Sequence, residues 1–248
     1  MTFPVRKGEL NMKRCTAILL LLIITLTSCT AVADGGISTH PEKAIAYMDI
    51  TFRCGCTAIG TGAMICSDGL ITAAHNLVCQ KHSKTAKDIV FYFGCNGTDD
   101  YFYKYTGRFH YWYQDSFQHG YSSKHDIGYV RFEDEDVGRK TGWFAIRYAG
   151  DREFEGRTCS IGAYSRSGEL TEYSGVLSVH SDLQFTFNQT ELPYGGEGAP
   201  VYIWRNDKPT VVGVYTSHSS SRCYARRVTK KLFDQMLQHL NITNVSRH

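Results

Sequence analysis

The sequence predicts an all-β protein, a barrel or sandwich of short strands with one helix at its C-terminus. Three observations predict it. Short runs rich in Val, Ile, Tyr and Phe recur along the chain, clusters of Gly, Asp, Asn or Ser separate them, and only five prolines occur in 248 residues. Half-buried runs set between turn formers are the pattern of closed or stacked sheets.

The elements follow in order. The chain opens on Arg6, Lys7, Lys13 and Arg14, and then comes the apolar run of residues 15–26. Twelve apolar residues are too few to span a bilayer, and behind a positive start they have the layout of a secretory signal. Two cleavage signals follow. Leu26-Thr27-Ser28-Cys29 reads as a bacterial lipobox with Cys29 as the lipidation site, and Ala31-Val32-Ala33 is a small-x-small site. Residues 1–33 are therefore expected to be a signal region, which makes the protein secreted or anchored to the cell envelope, with membrane contact only through a lipid at Cys29.

The body, residues 34–248, contains no internal repeat. Its strand-like runs are Ala63–Ile65, Leu70–Thr72, Ile89–Phe93, Ile127–Phe132, Thr158–Ala163, Gly175–Val179, Gln184–Asn188, Pro200–Trp204, Val211–Thr216 and Cys223–Val228. Between Tyr101 and Tyr121 ten of 21 residues are aromatic, a density that fits paired strands burying rings on both faces. The helix is expected over Thr229–Leu240. Leu232, Phe233, Met236, Leu237 and Leu240 form one apolar stripe, and Thr229 can cap the start. A body of this length is one domain or two small barrels packed together.

Composition narrows the function. The chain is 42% hydrophobic and 21% charged, which excludes disordered, collagenous and coiled-coil classes. Its formal +3 comes entirely from the leader. Removing four basic residues and Glu9 leaves 27 − 4 = 23 basic and 24 − 1 = 23 acidic residues. A neutral body removes the electrostatic case for nucleic acid as partner.

Seven cysteines follow position 29: Cys54, Cys56, Cys66, Cys79, Cys95, Cys159 and Cys223. An oxidising compartment favours disulfides, and the odd count leaves at least one thiol unpaired within the chain. One pairing, Cys66–Cys79, is expected; it closes a short loop around His75, worth about 3 kcal/mol in the chain-entropy model.

Three segments carry the chemistry. Gly60 to His75 reads as strand, turn and strand, ending in Thr72-Ala73-Ala74-His75, where two small residues allow close packing while the imidazole projects. In His125-Asp126-Ile127-Gly128-Tyr129-Val130 an acid opens a strand, placed to accept an imidazole N–H and fix its tautomer. In Gly195-Gly196-Glu197-Gly198-Ala199-Pro200 glycines flank one functional residue, which suits a tight turn whose N–H groups converge on an anion.

These segments, in this order, resemble the chymotrypsin/trypsin-fold serine peptidases, and most nearly the bacterial glutamyl-endopeptidase (V8-like) branch. Thr72 to His75 is similar to the family's catalytic-His segment and Asp126 to Val130 to its catalytic-Asp strand. Val137 to Phe144 resembles the branch's Gly-x-x-Thr-Gly-Trp-Phe stretch, and Gly195 to Pro200 falls on the nucleophile turn. The resemblance covers about residues 50 to 240. It implies two six-stranded antiparallel β-barrels, split at about residues 140–155, with a C-terminal helix. It also implies a catalytic set of His75, Asp126 and residue 197, an oxyanion hole from the backbone of Gly195 and Glu197, and a substrate pocket near Tyr215 and His218.

The pattern breaks at its centre. The family turn carries Ser where this chain has Glu197. The reaction needs a hydroxyl whose proton passes to the His, and a carboxylate has none to give at neutral pH. The chain is therefore expected to be an inactive homologue that binds an extracellular or envelope protein or peptide, the alternative being an active endopeptidase. No cofactor and no metal are expected. A zinc set of His75, Asp126 and Glu197 is disfavoured, because Asp126 in such a fold stands behind the imidazole and not at its open face. Glu197 is expected instead to pair with His75.

Overall fold

In a computed structural model, which describes residues 36–148, 150–188 and 192–242, the chain builds two sheets, antiparallel except for one short parallel pairing. The charged start, the apolar run, Cys29 and residues 31–33 lie outside the described residues.

The first sheet comprises β1 (Ile45–Phe52), β2 (Thr57–Met64), β3 (Gly69–Thr72), β4 (Val78–Cys79), β5 (Lys84–Phe93), β6 (Tyr103–Tyr105), β7 (Phe109–Tyr113) and β8 (Gly128–Phe132), in the order β4-β5-β1-β2-β3-β8-β7 with β6 paired to β5. The second comprises β9 (Ala145–Ile146), β10 (Thr158–Tyr164), β11 (Leu170–Ser181), β12 (Gln184–Phe187), β13 (Pro200–Arg205), β14 (Lys208–His218) and β15 (Cys223–Arg227). Six of these close on themselves as β13-β10-β11-β12-β15-β14, with β14 returning to β13, while β9 adds in parallel at β14. The all-β prediction and its C-terminal helix hold.

One part of the expected architecture differs. The second sheet is a closed six-stranded barrel; the first is an eight-stranded half-barrel whose ladder breaks between β6 and β7. The cause lies in the aromatic-rich stretch. The Tyr105 ring lies over Gly107, where a Cβ would come within 2.6 Å of it, and its hydroxyl donates to the Arg108 carbonyl at 2.6 Å. That turn carries β6 and β7 apart. Rings fill the gap: Phe132 meets Tyr105 and Phe91 edge-on at 4.7 and 4.9 Å, and Phe91 meets Phe109 at 5.6 Å. Edge-to-face pairs of this kind each add about 1 kcal/mol beyond their buried area.

Strand β1 was not among the runs read from the sequence. It lies between β5 and β2 and is buried on both faces except at Asp49 and, in part, Thr51. A short apolar stretch of this kind lacks the alternation that marks a half-buried strand.

The C-terminal helix spans Lys230–His239, and the Thr229 hydroxyl accepts from the Leu232 N–H, as the capping pattern predicts. It returns the chain to the first sheet. The His239 ring stacks on Trp112 at 4.4 Å and bonds the Tyr129 hydroxyl at 2.7 Å, and the Asn241 N–H donates to Asp68. One apolar core fills the half-barrel and takes in Tyr164 and Tyr202 of the barrel, while a second, with Ile161, Phe185, Val201 and Tyr215, fills the barrel itself. The Tyr164 hydroxyl ties the two together, donating to the Ile45 carbonyl at 3.2 Å and accepting from the Cys95 N–H at 2.8 Å.

The expected Cys66–Cys79 disulfide is absent; both cysteines are free thiols. Cys66 lies beyond the end of β2, and its thiol donates to Asp68 Oδ1 at 3.2 Å. Cys79 lies near Cys56, just before the start of β2. Eight extended residues separate those two ends by about 26 Å, whereas a disulfide needs Cα atoms within about 7 Å. Closeness along the chain did not become closeness in space.

Candidate functional site

His75 stands in a single 3-10 turn, Ala74–Asn76, directly after β3. Ala73 and Ala74 are fully buried, which is why two small residues precede it. Asp126 precedes β8, the strand paired to β3, so sheet pairing brings the two segments together. Both oxygens of Asp126 engage the same residue: the His75 Nδ1–H donates to Oδ2 at 2.7 Å and the His75 backbone N–H to Oδ1 at 2.9 Å. The carboxylate is buried while the imidazole keeps 22% of its surface open. Asp126 thus fixes the tautomer and the ring orientation and leaves Nε2 toward the cleft. With both oxygens committed behind the ring, Asp126 is not available as a metal ligand at the open face.

The turn carrying Glu197 belongs to the barrel but is held by the half-barrel. The Glu197 carbonyl accepts from the Thr61 N–H at 2.9 Å and from Asn76 Nδ2 at 3.0 Å. The Thr61 hydroxyl donates to the Gly195 carbonyl at 2.8 Å, and the Thr72 hydroxyl to the Thr61 carbonyl at 2.7 Å. Gly198 donates to the Tyr215 carbonyl. Gly195 and Gly198 have φ of 103° and 94°, a region that L side chains rarely adopt, so the glycines here are conformational requirements. Among the described residues the N–H groups of Gly195 and Glu197 donate to no protein acceptor. They remain free to bind an anion.

His75, Asp126 and Glu197 line one open cleft of about 300 Å³ with Gln80, Tyr121, Ser123, Thr216 and Ser217. Burial disfavours the charged imidazole, but the Asp126 charge and hydrogen bond, with the Glu197 charge added, override it and raise the His75 pKa above its ordinary 6.5. A raised folded-state value means that the protonated imidazole stabilises the fold. That contribution is fully present below the unfolded value of about 6.5 and is lost as pH rises through the folded one. Titration of the His75 ring by NMR is expected to give a folded pKa above that of a free imidazole, and Glu197→Gln is expected to lower it. A folded value at or below the free one contradicts the reading.

The sequence-predicted residues divide as follows. The structure joins His75 to Asp126 and places Glu197 in the same cleft. Among the described residues, however, no ion pair or hydrogen bond links the Glu197 carboxylate to His75, so the expected pairing is not formed and its charge acts only across the cleft. Tyr215 is fully buried in the barrel, where its hydroxyl bonds His218 Nδ1 at 3.0 Å; the neighbours Thr216 and Ser217 face the cleft instead. Thr61, Thr72 and Asn76, which clamp the Glu197 turn, carry no signal in the sequence, since Thr in a strand and Asn after a His are commonplace.

No family model and no curated protein matches the sequence. Solved structures do match. A Glu endopeptidase solved in complex with MPD superposes with a TM-score of 0.67 at 17% identity, over 84% of this chain and 97% of that one. A thermostable serine protease, AL20, from an extremophilic microorganism gives 0.68 at 12% identity, over 82% of this chain and 99% of the other. An inactivated protease paralogue of the scabies mite gives 0.61 at 16% identity, over 82% and 97%. The fold is that of the chymotrypsin-like serine proteases. Within that fold the site lies where the half-barrel and the barrel meet, with His75 and Asp126 from the first and the Glu197 turn from the second.

Proposed function

We propose that this chain is an exported, catalytically inactive homologue of the chymotrypsin-fold serine proteases, which uses the cleft between its two sheets to bind a peptide or protein segment. The single observation that carries this is Glu197 at the tip of the glycine turn, in the same cleft as an imidazole already oriented by Asp126. Acyl transfer needs a hydroxyl there that passes its proton to Nε2. The Glu197 carboxylate has no proton to pass, is a poor nucleophile toward an amide, and is about two bonds longer than a serine side chain, so it takes the space of the scissile carbonyl. The scabies mite protein of the same fold, described as an inactivated protease paralogue, is a precedent for this class.

The competing reading is an active endopeptidase that uses another hydroxyl. Ser123, Thr216 and Ser217 line the cleft, but the Thr216 hydroxyl donates to the Tyr224 carbonyl and the Ser123 hydroxyl accepts from Gln184. None stands in a glycine turn that offers free N–H donors. The test is incubation of the purified protein with a fluorophosphonate probe and with a mixed peptide library. We expect no covalent labelling, no cleavage, and retention of a subset of peptides. Labelling or cleavage that disappears in His75→Ala would refute the proposal.

A further inference from the structure

A second cluster of reactive side chains lies outside the cleft. Cys54 and Cys56 flank Gly55 in the turn from β1 to β2, and Cys79 and His82 stand at the base and in the loop of the β4–β5 hairpin. Two long-range pairings bring the turns together. The end of β1 lies beside the start of β5, with Phe52 opposite Ala86, and the Arg53 N–H donates to the Thr85 carbonyl at 3.0 Å. The three Sγ atoms and a ring nitrogen of His82 then all lie within 4.8 Å of one another. His82 Nδ1 is 3.4 Å from Cys56 Sγ and 3.8 Å from Cys79 Sγ.

We infer that Cys54, Cys56, Cys79 and His82 form a closed tetrahedral site for a structural zinc ion. The spacing is that of ligands around a common centre. Zinc bonds of ~2.3 Å to sulfur and ~2.05 Å to nitrogen place tetrahedral S and N ligands ~3.6 Å apart and two S ligands ~3.8 Å apart. Three thiols and one imidazole make a structural donor set, with no position left for water or substrate. In sequence the set reads as Cys-x-Cys followed by Cys-x-x-His. This departs from the expectation that the chain holds no metal.

The local backbone supports it. Gly55 has φ of 85° and its N–H donates to the Phe52 carbonyl, which folds the turn so that both flanking thiols reach one side. The Ser83 N–H donates to the Cys79 carbonyl and closes the loop that presents His82. Binding replaces three S–H bonds by Zn–S bonds and releases three protons without redox change, leaving one net negative charge. Arg53 next to Cys54 and Lys81 next to His82 in sequence bring positive charge to the ligand-bearing turns. The remaining cysteines of the body are buried, and burial pushes the thiols of Cys66, Cys95 and Cys159 up to about 12, so they do not compete.

The position gives the ion a task. Cys79 follows His75 by four residues, and Gln80 lines the same cleft as His75. A zinc ion at Cys79 fixes the backbone that leaves the imidazole, the role a disulfide from Cys66 was expected to fill.

The test is metal content of the full chain purified without chelator, with zinc as the probe. One zinc per chain is expected to survive dialysis. A strong chelator is expected to release it and to expose three additional thiols to a thiol reagent. Cobalt in its place is expected to give the absorption bands of a tetrahedral cobalt thiolate. Cys56→Ser is expected to weaken zinc binding by about a hundredfold or more, since even residues that only support a ligand account for up to ~100-fold. Cys159→Ser is expected to leave it unchanged. The cobalt and thiol readings need no variant, so a misfolded Cys56→Ser does not leave the question open. Less than a tenth of a zinc per chain, a cobalt spectrum without thiolate bands, or a disulfide joining two of the three cysteines overturns the assignment.

Discussion

Glu197→Ser is expected to make the cleft react with a fluorophosphonate. The rest of the apparatus stands ready. Asp126 accepts from the His75 Nδ1–H at 2.7 Å and from the His75 backbone N–H at 2.9 Å, and among the described residues the Gly195 and residue 197 N–H groups donate to no protein acceptor. The substitution removes the anion that competes with a developing oxyanion and supplies the hydroxyl whose proton Nε2 accepts. Loss of the nucleophile alone in such a triad costs about 10⁶-fold, so even imperfect restoration is large on the scale of the parent. Labelling at least about a hundredfold above the parent is expected, and His75→Ala in the same background is expected to abolish it. If the variant folds and stays unlabelled, the Glu197 tip is not at a nucleophile position, and the proposed function loses its central observation.

Gly198→Ala is expected to be among the most damaging single-methyl additions in the molecule. At φ of 94° a Cβ would stand 2.0 Å from the Thr61 carbonyl oxygen and 2.4 Å from the Thr72 hydroxyl. The left-handed conformation alone costs about 1–2 kcal/mol for an alanine, and forced overpacking adds about 1–3 kcal/mol. The Thr61 carbonyl cannot withdraw cheaply, because it accepts from Thr72 while its neighbouring N–H holds the Glu197 carbonyl. A total of about 3 kcal/mol lowers the thermal midpoint of a chain this size by roughly 6–12 °C. Gly97→Ala is the control: its φ is 106°, but nothing lies within 4 Å of the added methyl, so only the conformational cost applies. Equal losses in the two variants would show that the clamp on the Glu197 turn is not as tight as the contacts require.

These two glycines show how far the sequence could be read. That Gly198 belongs to a special turn was legible from the glycines around Glu197, because backbone freedom is a property of the residue itself. That Thr61, Thr72 and Asn76 close on that turn was not, because they belong to the other sheet. Asp126 was legible as a partner for His75 through the resemblance to the chymotrypsin-fold peptidases, since an acid opening a strand is by itself commonplace. The partners that line the cleft, Thr216 and Ser217 in place of Tyr215 and His218, depended on which way β14 faces after its bulge between Tyr215 and Ser217. A one-residue shift of that kind exchanges the two faces of a strand.

The sequence by itself determined the all-β class, the capped helix at Thr229, the order His75, Asp126, Glu197 and the acid at the tip of the glycine turn. Each is a matter of periodicity, propensity or residue chemistry along a few neighbouring positions. Only the tertiary structure decided that the first sheet stays open, that Cys66 and Cys79 stand at opposite ends of β2, and that Cys79 instead meets Cys54, Cys56 and His82. Such outcomes are set by which strands pair and in what register, and pairing joins segments whose separation in the chain carries no record of their separation in space.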